Sequence, residues 1–129
     1  HGTTFGGNPL AAAAALATLD AIDHRGLLAH VKAVGEHLKQ TIGAIPGVTD
    51  VRGDGLLLGI ALEEQISAEV AAAALEAGFI INPPSPDTIR LAPSLTLTHE
   101  EADTFVSWLA GHLAGRAARA SDAAEGSDA

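Results

Sequence analysis

The sequence predicts an α/β chain in which a small, mostly antiparallel sheet is covered on one face by helices. Three observations carry this. Leu27, Val31, Val34, Leu38 and Ile42 recur at spacings of four or three, the period of a helix with one apolar stripe. Val48 to Leu62 reads as two short strands, since Val51-Arg52 and Leu56 to Leu62 flank Gly53-Asp54-Gly55, a turn signal that folds one strand back on the other. Thr98-His99-Glu100-Glu101 reads as a capping box at the start of a further amphipathic helix. Helices and strands of this kind pack in two layers around one core.

The elements follow in order. Asn8 is a good N-cap and Pro9 suits the first helical position, so a first helix is expected from Pro9 to about Ile22. Its bulk comes from Leu10, Leu16, Leu19 and Ile22, while Ala11 to Ala15 keep it thin. A turn at Asp23 to Gly26 leads into the striped second helix, which Ile45-Pro46-Gly47 ends. The run Leu56 to Leu62 is apolar at every position and is expected to lie centrally in the sheet. Ser67 is expected to cap a third helix, Ala68 to Ala77, with Gly78 in the left-handed position that closes it. A short strand is expected at Phe79 to Ile81. Asn82-Pro83-Pro84-Ser85-Pro86-Asp87 then reads as a stiff connector, because proline donates no N–H to a ladder. Thr88 to Leu91 is a strand stopped by Pro93, and the last helix places Ala102, Phe105, Val106, Leu109 and Leu113 on one face. Beyond Gly115 the residues are small, polar and acidic, so a frayed end and a disordered tail are expected.

Composition excludes several classes of function. The chain has 129 residues, nearly half of them apolar, which is one domain's worth. A net charge of −9, with seven scattered Lys and Arg, argues against nucleic acid and against an anionic membrane surface. No cysteine means no disulfide, no thiolate nucleophile and no Cys-based zinc site. The longest apolar stretch, Leu10 to Ala17, is far below the ~20 residues of a membrane span. No histidine pair has metal spacing, and Ser85, Ser94 and Ser107 lack a nucleophile-elbow setting. Neither a signal peptide nor a methionine is present. Because the chain opens inside a loop motif, it is expected to be part of a longer protein.

Two segments carry chemistry. His1-Gly2-Thr3-Thr4-Phe5-Gly6-Gly7-Asn8-Pro9 brings two hydroxyls and two glycines to a helix N-terminus, where free N–H groups and the macrodipole favour an anion such as phosphate. The plainer reading is a turn that only starts a helix. Arg90 lies between Ile89 and Leu91, so strand alternation turns it to the opposite face, where its planar fork matches a carboxylate. A salt bridge within the chain, or simple exposure at a sheet edge, is the alternative for Arg90.

The opening string resembles the segment of class III pyridoxal-phosphate aminotransferases that reaches across the dimer to the neighbouring subunit's cofactor phosphate. Thr88-Ile89-Arg90-Leu91-Ala92-Pro93-Ser94-Leu95 is similar to that family's C-terminal motif, with Ser94 where many members have a second proline. Val51-Arg52-Gly53-Asp54-Gly55-Leu56-Leu57-Leu58-Gly59-Ile60 resembles the hairpin between them, with Arg52 read as a solvated strand-end charge. The resemblance runs from His1 to about Leu113.

It implies a C-terminal part of a fold-type I pyridoxal-phosphate-dependent transferase. Residues 1–25 would end the large cofactor domain, 26–115 would form the small domain, and 116–129 would be the acidic tail. Thr3 and Thr4 would contact the phosphate of pyridoxal 5′-phosphate, and Arg90 would grip the substrate's α-carboxylate. The partners implied are an amino acid, a 2-oxo acid and a second subunit, in the cytoplasm. The lysine that holds the cofactor as a Schiff base would lie upstream. Lys32 and Lys39, the only lysines here, sit on the polar side of the second helix, so no catalytic residue is assigned within this chain.

Overall fold

A computed structural model describes the backbone of residues 2–125 and the side chains of residues 2–120. Eight elements follow in order: α1 (Pro9–His24), α2 (Leu27–Gly43), β1 (Val48–Asp54), β2 (Leu57–Leu62), α3 (Ser67–Glu76), β3 (Asn82–Ser85), β4 (Thr88–Leu91) and α4 (His99–Glu125). The strands form one sheet in the order β1-β2-β4-β3, and each neighbouring pair is antiparallel. The run ending at Leu62 is central, as its composition predicts.

One core forms on one side of this sheet. Leu58, Ile60 and Leu62 alternate inward from β2, and Ile89 and Leu91 do so from β4. Val34, Leu38 and Ile42 of α2, Val70 of α3, and Ala102, Phe105, Leu109 and Leu113 of α4 close over them. Burying a Leu or Ile side chain in such a core is worth about 1.5–3 kcal/mol. The opposite face carries Leu57, Gly59 and Ala61 of β2 and is left open, none of the three being fully buried.

Several expectations change. The hairpin turns at Gly55-Leu56, with Asp54 paired to Leu57, so Gly53 and Asp54 end β1 instead of forming the loop. Gly53 must still be glycine: it has φ +134°, and a Cβ there would lie 2.1 Å from the Leu57 carbonyl oxygen. Phe79 to Ile81 is not a strand, and the proline segment is one. Pro83 and Pro84 fall between the paired residues Asn82 and Ser85, where the register shifts, on an edge strand whose only partner is β4. An edge tolerates missing donors. Ser67 does not cap α3. It is buried, its hydroxyl donates to the Ser85 carbonyl, and Ile66 holds the N-cap position without a side-chain bond.

The ends of α3 and α4 show how local chemistry positions the layers. Gly78, at φ +90°, closes α3, with its N–H bonded to Leu75 O and that of Phe79 to Ala74 O, the paired bonds of a Schellman cap. At the start of α4, Glu101 N–H donates to Thr98 Oγ1 and the Glu101 carboxylate accepts from Thr98 N–H at 2.9 Å. Helix α4 continues past Gly115 to Glu125, so residues 116–125 are helical and not a disordered tail; 126–129 lie outside the described residues. Arg116 anchors this extension through Glu69 and Glu64.

Two stability tests follow from these contacts. A Cβ on Gly35 of α2 would lie 2.2 Å from the Gly55 carbonyl oxygen, so helix and hairpin meet backbone to side-chain-less backbone. Helix propensity alone favours Ala over Gly by about 1 kcal/mol, yet Gly35→Ala is expected to destabilise by about 1–3 kcal/mol through overpacking, read as a lower urea midpoint. The second concerns pH. The Thr98 N–H, then its hydroxyl, hold the Glu101 carboxyl below the usual glutamate range. A depressed carboxyl contributes stability above its unfolded pKa and loses it as pH falls through the folded pKa. Wild type should therefore exceed Glu101→Gln in urea midpoint at neutral pH, with the gap closing in acid.

Candidate functional site

Arg90 sits on β4, an interior strand, and pairs with Gly59 of β2 on one side and Asn82 of β3 on the other. Its neighbours Ile89 and Leu91 are buried, whereas Arg90 is exposed on the open face, as alternation predicts. No hydrogen bond or ion pair engages its guanidinium among the described residues. Among the described residues Arg90 therefore makes no salt bridge, and it is exposed on an interior strand and not at a sheet edge. What stands there is an accessible planar donor fork on a rigid strand, able to take a carboxylate in two parallel bonds.

The second element is the loop before α1, of which His1 lies outside the described residues. Gly6 N–H closes a turn on Thr3 O, and a Cβ on Gly6 would meet Thr3 Cγ2 at 2.5 Å, so this glycine makes room for the threonine. Asn8 ties the loop to the helix: Nδ2 donates to Phe5 O at 2.6 Å and Oδ1 accepts from Ala11 N–H at 2.9 Å. Thr3 and Thr4 are exposed, and neither hydroxyl has a hydrogen-bond partner among the described residues. Two free hydroxyls beside a capped helix N-terminus suit a phosphate. No hydrogen bond or ion pair joins this loop to Arg90.

The remaining polar groups have local explanations. Lys39 pairs with Glu36 at 3.3 Å. Lys32 is exposed, beside a cleft of about 510 Å³ that Leu28, Val31 and Pro93 also line. His30, His37 and His99, separate in sequence, gather where α2 meets the start of α4: His30 Nε2 bonds Leu97 O at 2.7 Å, His37 pairs with Asp103, and the His99 ring lies against both. Helical spacing within α2 could not show this, since His99 arrives from another element. No group of three or more His, Cys, Asp or Glu able to hold a metal ion occurs among the described residues. Nor is any described helix long and apolar enough to cross a membrane.

Among the described residues, Arg90 on the open sheet face and Thr3 and Thr4 in the loop before α1 thus offer exposed side-chain donors without partners. Residues 1–113 match the family Aminotransferase class-III, and the chain belongs to it. Among curated relatives, the acetylornithine aminotransferase of Streptomyces coelicolor is 50% identical over 115 residues, which cover 88% of this chain and 29% of that protein. Acetylornithine aminotransferase 1 of Bordetella parapertussis is 48% identical over 110 residues, covering 82% and 28%. The chain thus spans under a third of the length of the relatives it matches. Among solved structures, acetylornithine aminotransferase from Elizabethkingia anophelis superposes with a TM-score of 0.75 at 33% identity, covering 86% of this chain and 30% of that one. Ornithine aminotransferase from Plasmodium yoelii gives 0.76 at 30% identity, covering 86% and 31%.

The loop's order rests on Asn8. Asn8→Ala removes both of its side-chain bonds, at a cost of about 1 kcal/mol. Hydrogen exchange at the Ala11 amide should quicken about fivefold, with exchange in β2 and β4 unchanged.

Proposed function

We propose that this chain is the C-terminal part of a pyridoxal-phosphate-dependent acetylornithine aminotransferase. The reaction is amino transfer between N-acetylornithine and 2-oxoglutarate, with glutamate as the other amino partner, in the cytoplasmic synthesis of arginine. The observation that carries the reading is Arg90: an arginine on an interior strand with no ion pair among the described residues, in a chain whose acidic residues outnumber its basic ones by sixteen to seven. The similarity to relatives of that name narrows the substrate.

In this reading residues 1–25 belong to the large domain and 26–115 to the small one. Thr3 and Thr4 donate hydroxyls to the cofactor phosphate across a homodimer, while the positive end of α1 favours the same anion. That neither hydroxyl has a partner among the described residues fits that role, because a hydroxyl already bonded within its chain would have to give up one bond to make another. When bound, the cofactor would supply the electron sink for bond breaking at the carbon that bears the transferred amine, Cδ of N-acetylornithine and Cα of glutamate. Arg90 holds the α-carboxylate of glutamate or 2-oxoglutarate in a fixed plane and so orients that partner's Cα. The covalent lysine lies in the remainder of the longer protein, so the chain by itself is expected to be inactive.

A second reading, an aminotransferase of ornithine, succinylornithine or 4-aminobutyrate, is favoured by one observation: the ornithine enzyme's structure superposes as well as the acetylornithine enzyme's. Turnover of the full-length protein with each amino donor separates the two. The site assignment has its own test. Charge-assisted bonds contribute about 1.5–3 kcal/mol, so Arg90→Gln should raise KM for glutamate about 10- to 100-fold and leave cofactor affinity unchanged. Thr4→Ala should weaken cofactor binding about fivefold, one neutral bond's worth, in a titration of the cofactor-free protein with pyridoxal phosphate. Equal effects of the two substitutions on cofactor affinity would contradict the assignment.

A further inference from the structure

We propose that Asn82 shares with Arg90 the α-carboxylate of glutamate and 2-oxoglutarate, its side-chain amide donating to the same group that the guanidinium holds. The inference rests on the reading of Arg90 given above. Its observation is a pair across the sheet: Asn82 of β3 stands opposite Arg90 of β4, whose other partner is Gly59 of β2. Residues directly opposite across strands project to the same face, with Cβ atoms about 5 Å apart. Gly59 has no side chain, so the amide of Asn82 is the one side chain directly opposite Arg90.

The two flanks of Arg90 differ in what they offer. On the Gly59 side, a built Cβ would lie 3.8 Å from Arg52 Cγ and 3.9 Å from Arg52 Nε, so the Arg52 chain leans over that glycine. Like charges repel, which disfavours this side for the Arg90 guanidinium. On the other side stands a neutral amide. Its carbonyl oxygen can accept from a guanidinium N–H that the carboxylate leaves unused, and its NH2 can donate to the carboxylate itself. Asn82 is exposed, and no hydrogen bond engages its side chain among the described residues.

The backbone holds this amide in place. Asn82 precedes Pro83, and a residue before proline is confined to extended conformations. Pro83 and Pro84 fall where the register shifts, between the pair of Asn82 with Arg90 and that of Ser85 with Thr88, and such a bulge pins one strand against the other. A short asparagine also has fewer torsions to fix on binding than the arginine beside it. Neutrality matters at this position. An aspartate at 82 would hand Arg90 an acid of its own chain, and a lysine would repel it.

In the full-length protein, Asn82→Asp should lower kcat/KM for 2-oxoglutarate about 10- to 100-fold, because Arg90 gains a cross-strand partner that competes with the substrate. Its melting temperature should match or exceed that of the wild type, which separates lost binding from lost folding. Asn82→Ala, which only deletes the amide, should lower the same constant about fivefold, one neutral hydrogen bond's worth. Neither should change kcat/KM for N-acetylornithine by more than about twofold, since that substrate reacts at Cδ and brings no α-carboxylate to Arg90. Glutarate should raise the melting temperature of the wild type more than that of either variant, a readout that needs no turnover. An unchanged 2-oxoglutarate constant in Asn82→Ala, or an equal fall for both substrates, overturns the proposal if Arg90→Gln lowers the constant for 2-oxoglutarate alone. If Arg90→Gln leaves that constant unchanged, the reading of Arg90 fails and this inference with it.

Discussion

The arrangement depends on the apolar row next to the arginines. Val51, Ile60 and Ile89 pair across β1, β2 and β4, and Ile60 and Ile89 are fully buried. One residue along each strand lies the row of Arg52, Gly59 and Arg90, on the other face. Because side chains alternate with a period of two, a slip of one residue in any pairing would drive a guanidinium into the core and an isoleucine into water. Burying an unpaired charge costs several kcal/mol, and exposing the isoleucine forfeits about 1.5–3 more. The core therefore sets the register, and the register places the cations. The arginines are held in line by residues whose side chains lie on the opposite face of the sheet.

This explains which parts of the fold were legible in the sequence. The stripe of α2, the central position of the run ending at Leu62, the capping box at Thr98 and the left-handed Gly78 are each fixed by neighbours a few residues away. The outward direction of Arg90 needed only the alternation of Thr88-Ile89-Arg90-Leu91. The failures depended on distant contacts. The prolines at 83 and 84 read as a connector because sequence cannot show that β4 would lie alongside and ask for so few donors. Ser67 reads as a cap because its actual acceptor, Ser85 O, is 18 residues away. The turn moved to Gly55-Leu56 because Gly53 has to admit the Leu57 carbonyl while Gly55 nestles against Gly35 and Val31, constraints from a partner strand and a helix. Helix α4 outran Gly115 because Arg116 finds Glu64 and Glu69 on a part of the chain that composition does not relate to it.

The loop before α1 obeys a different logic. Helix α1 has no buried residue, and Leu10, Leu16 and Leu19 are each more than 60% exposed. Its order comes from alanine's intrinsic propensity and from the Asn8–Pro9 start, with α2 as its packing neighbour. Short-range chemistry alone shapes the Thr3–Thr4 turn, through Gly6, Gly7 and Asn8. That is why the turn could be anticipated from nine residues. Local chemistry goes no further than a helix N-terminus that favours an anion, and the resemblance to the family is what implies a cofactor phosphate there.

Comparing the arginines shows why the absence of a partner is informative. Arg116 meets Glu69 through both carboxylate oxygens and Glu64 through a third bond, which hold its charged form above the usual range. That is what a structural arginine does in a chain rich in acids: it finds them. Arg90 is flanked on the sheet by Gly59, Asn82 and Thr88, none of which is ionised, while Asp87, in the turn just before β4, already accepts from the hydroxyls of Ser85 and Thr88. An exposed arginine at a loop or helix end could stay unpaired for lack of anything rigid nearby. One on an interior strand has a fixed position and a preset direction, so the entropy of holding a ligand there is already spent. The fold clamps Arg116 with two acids and, among the described residues, offers Arg90 none, so that second guanidinium stands exposed on the open face.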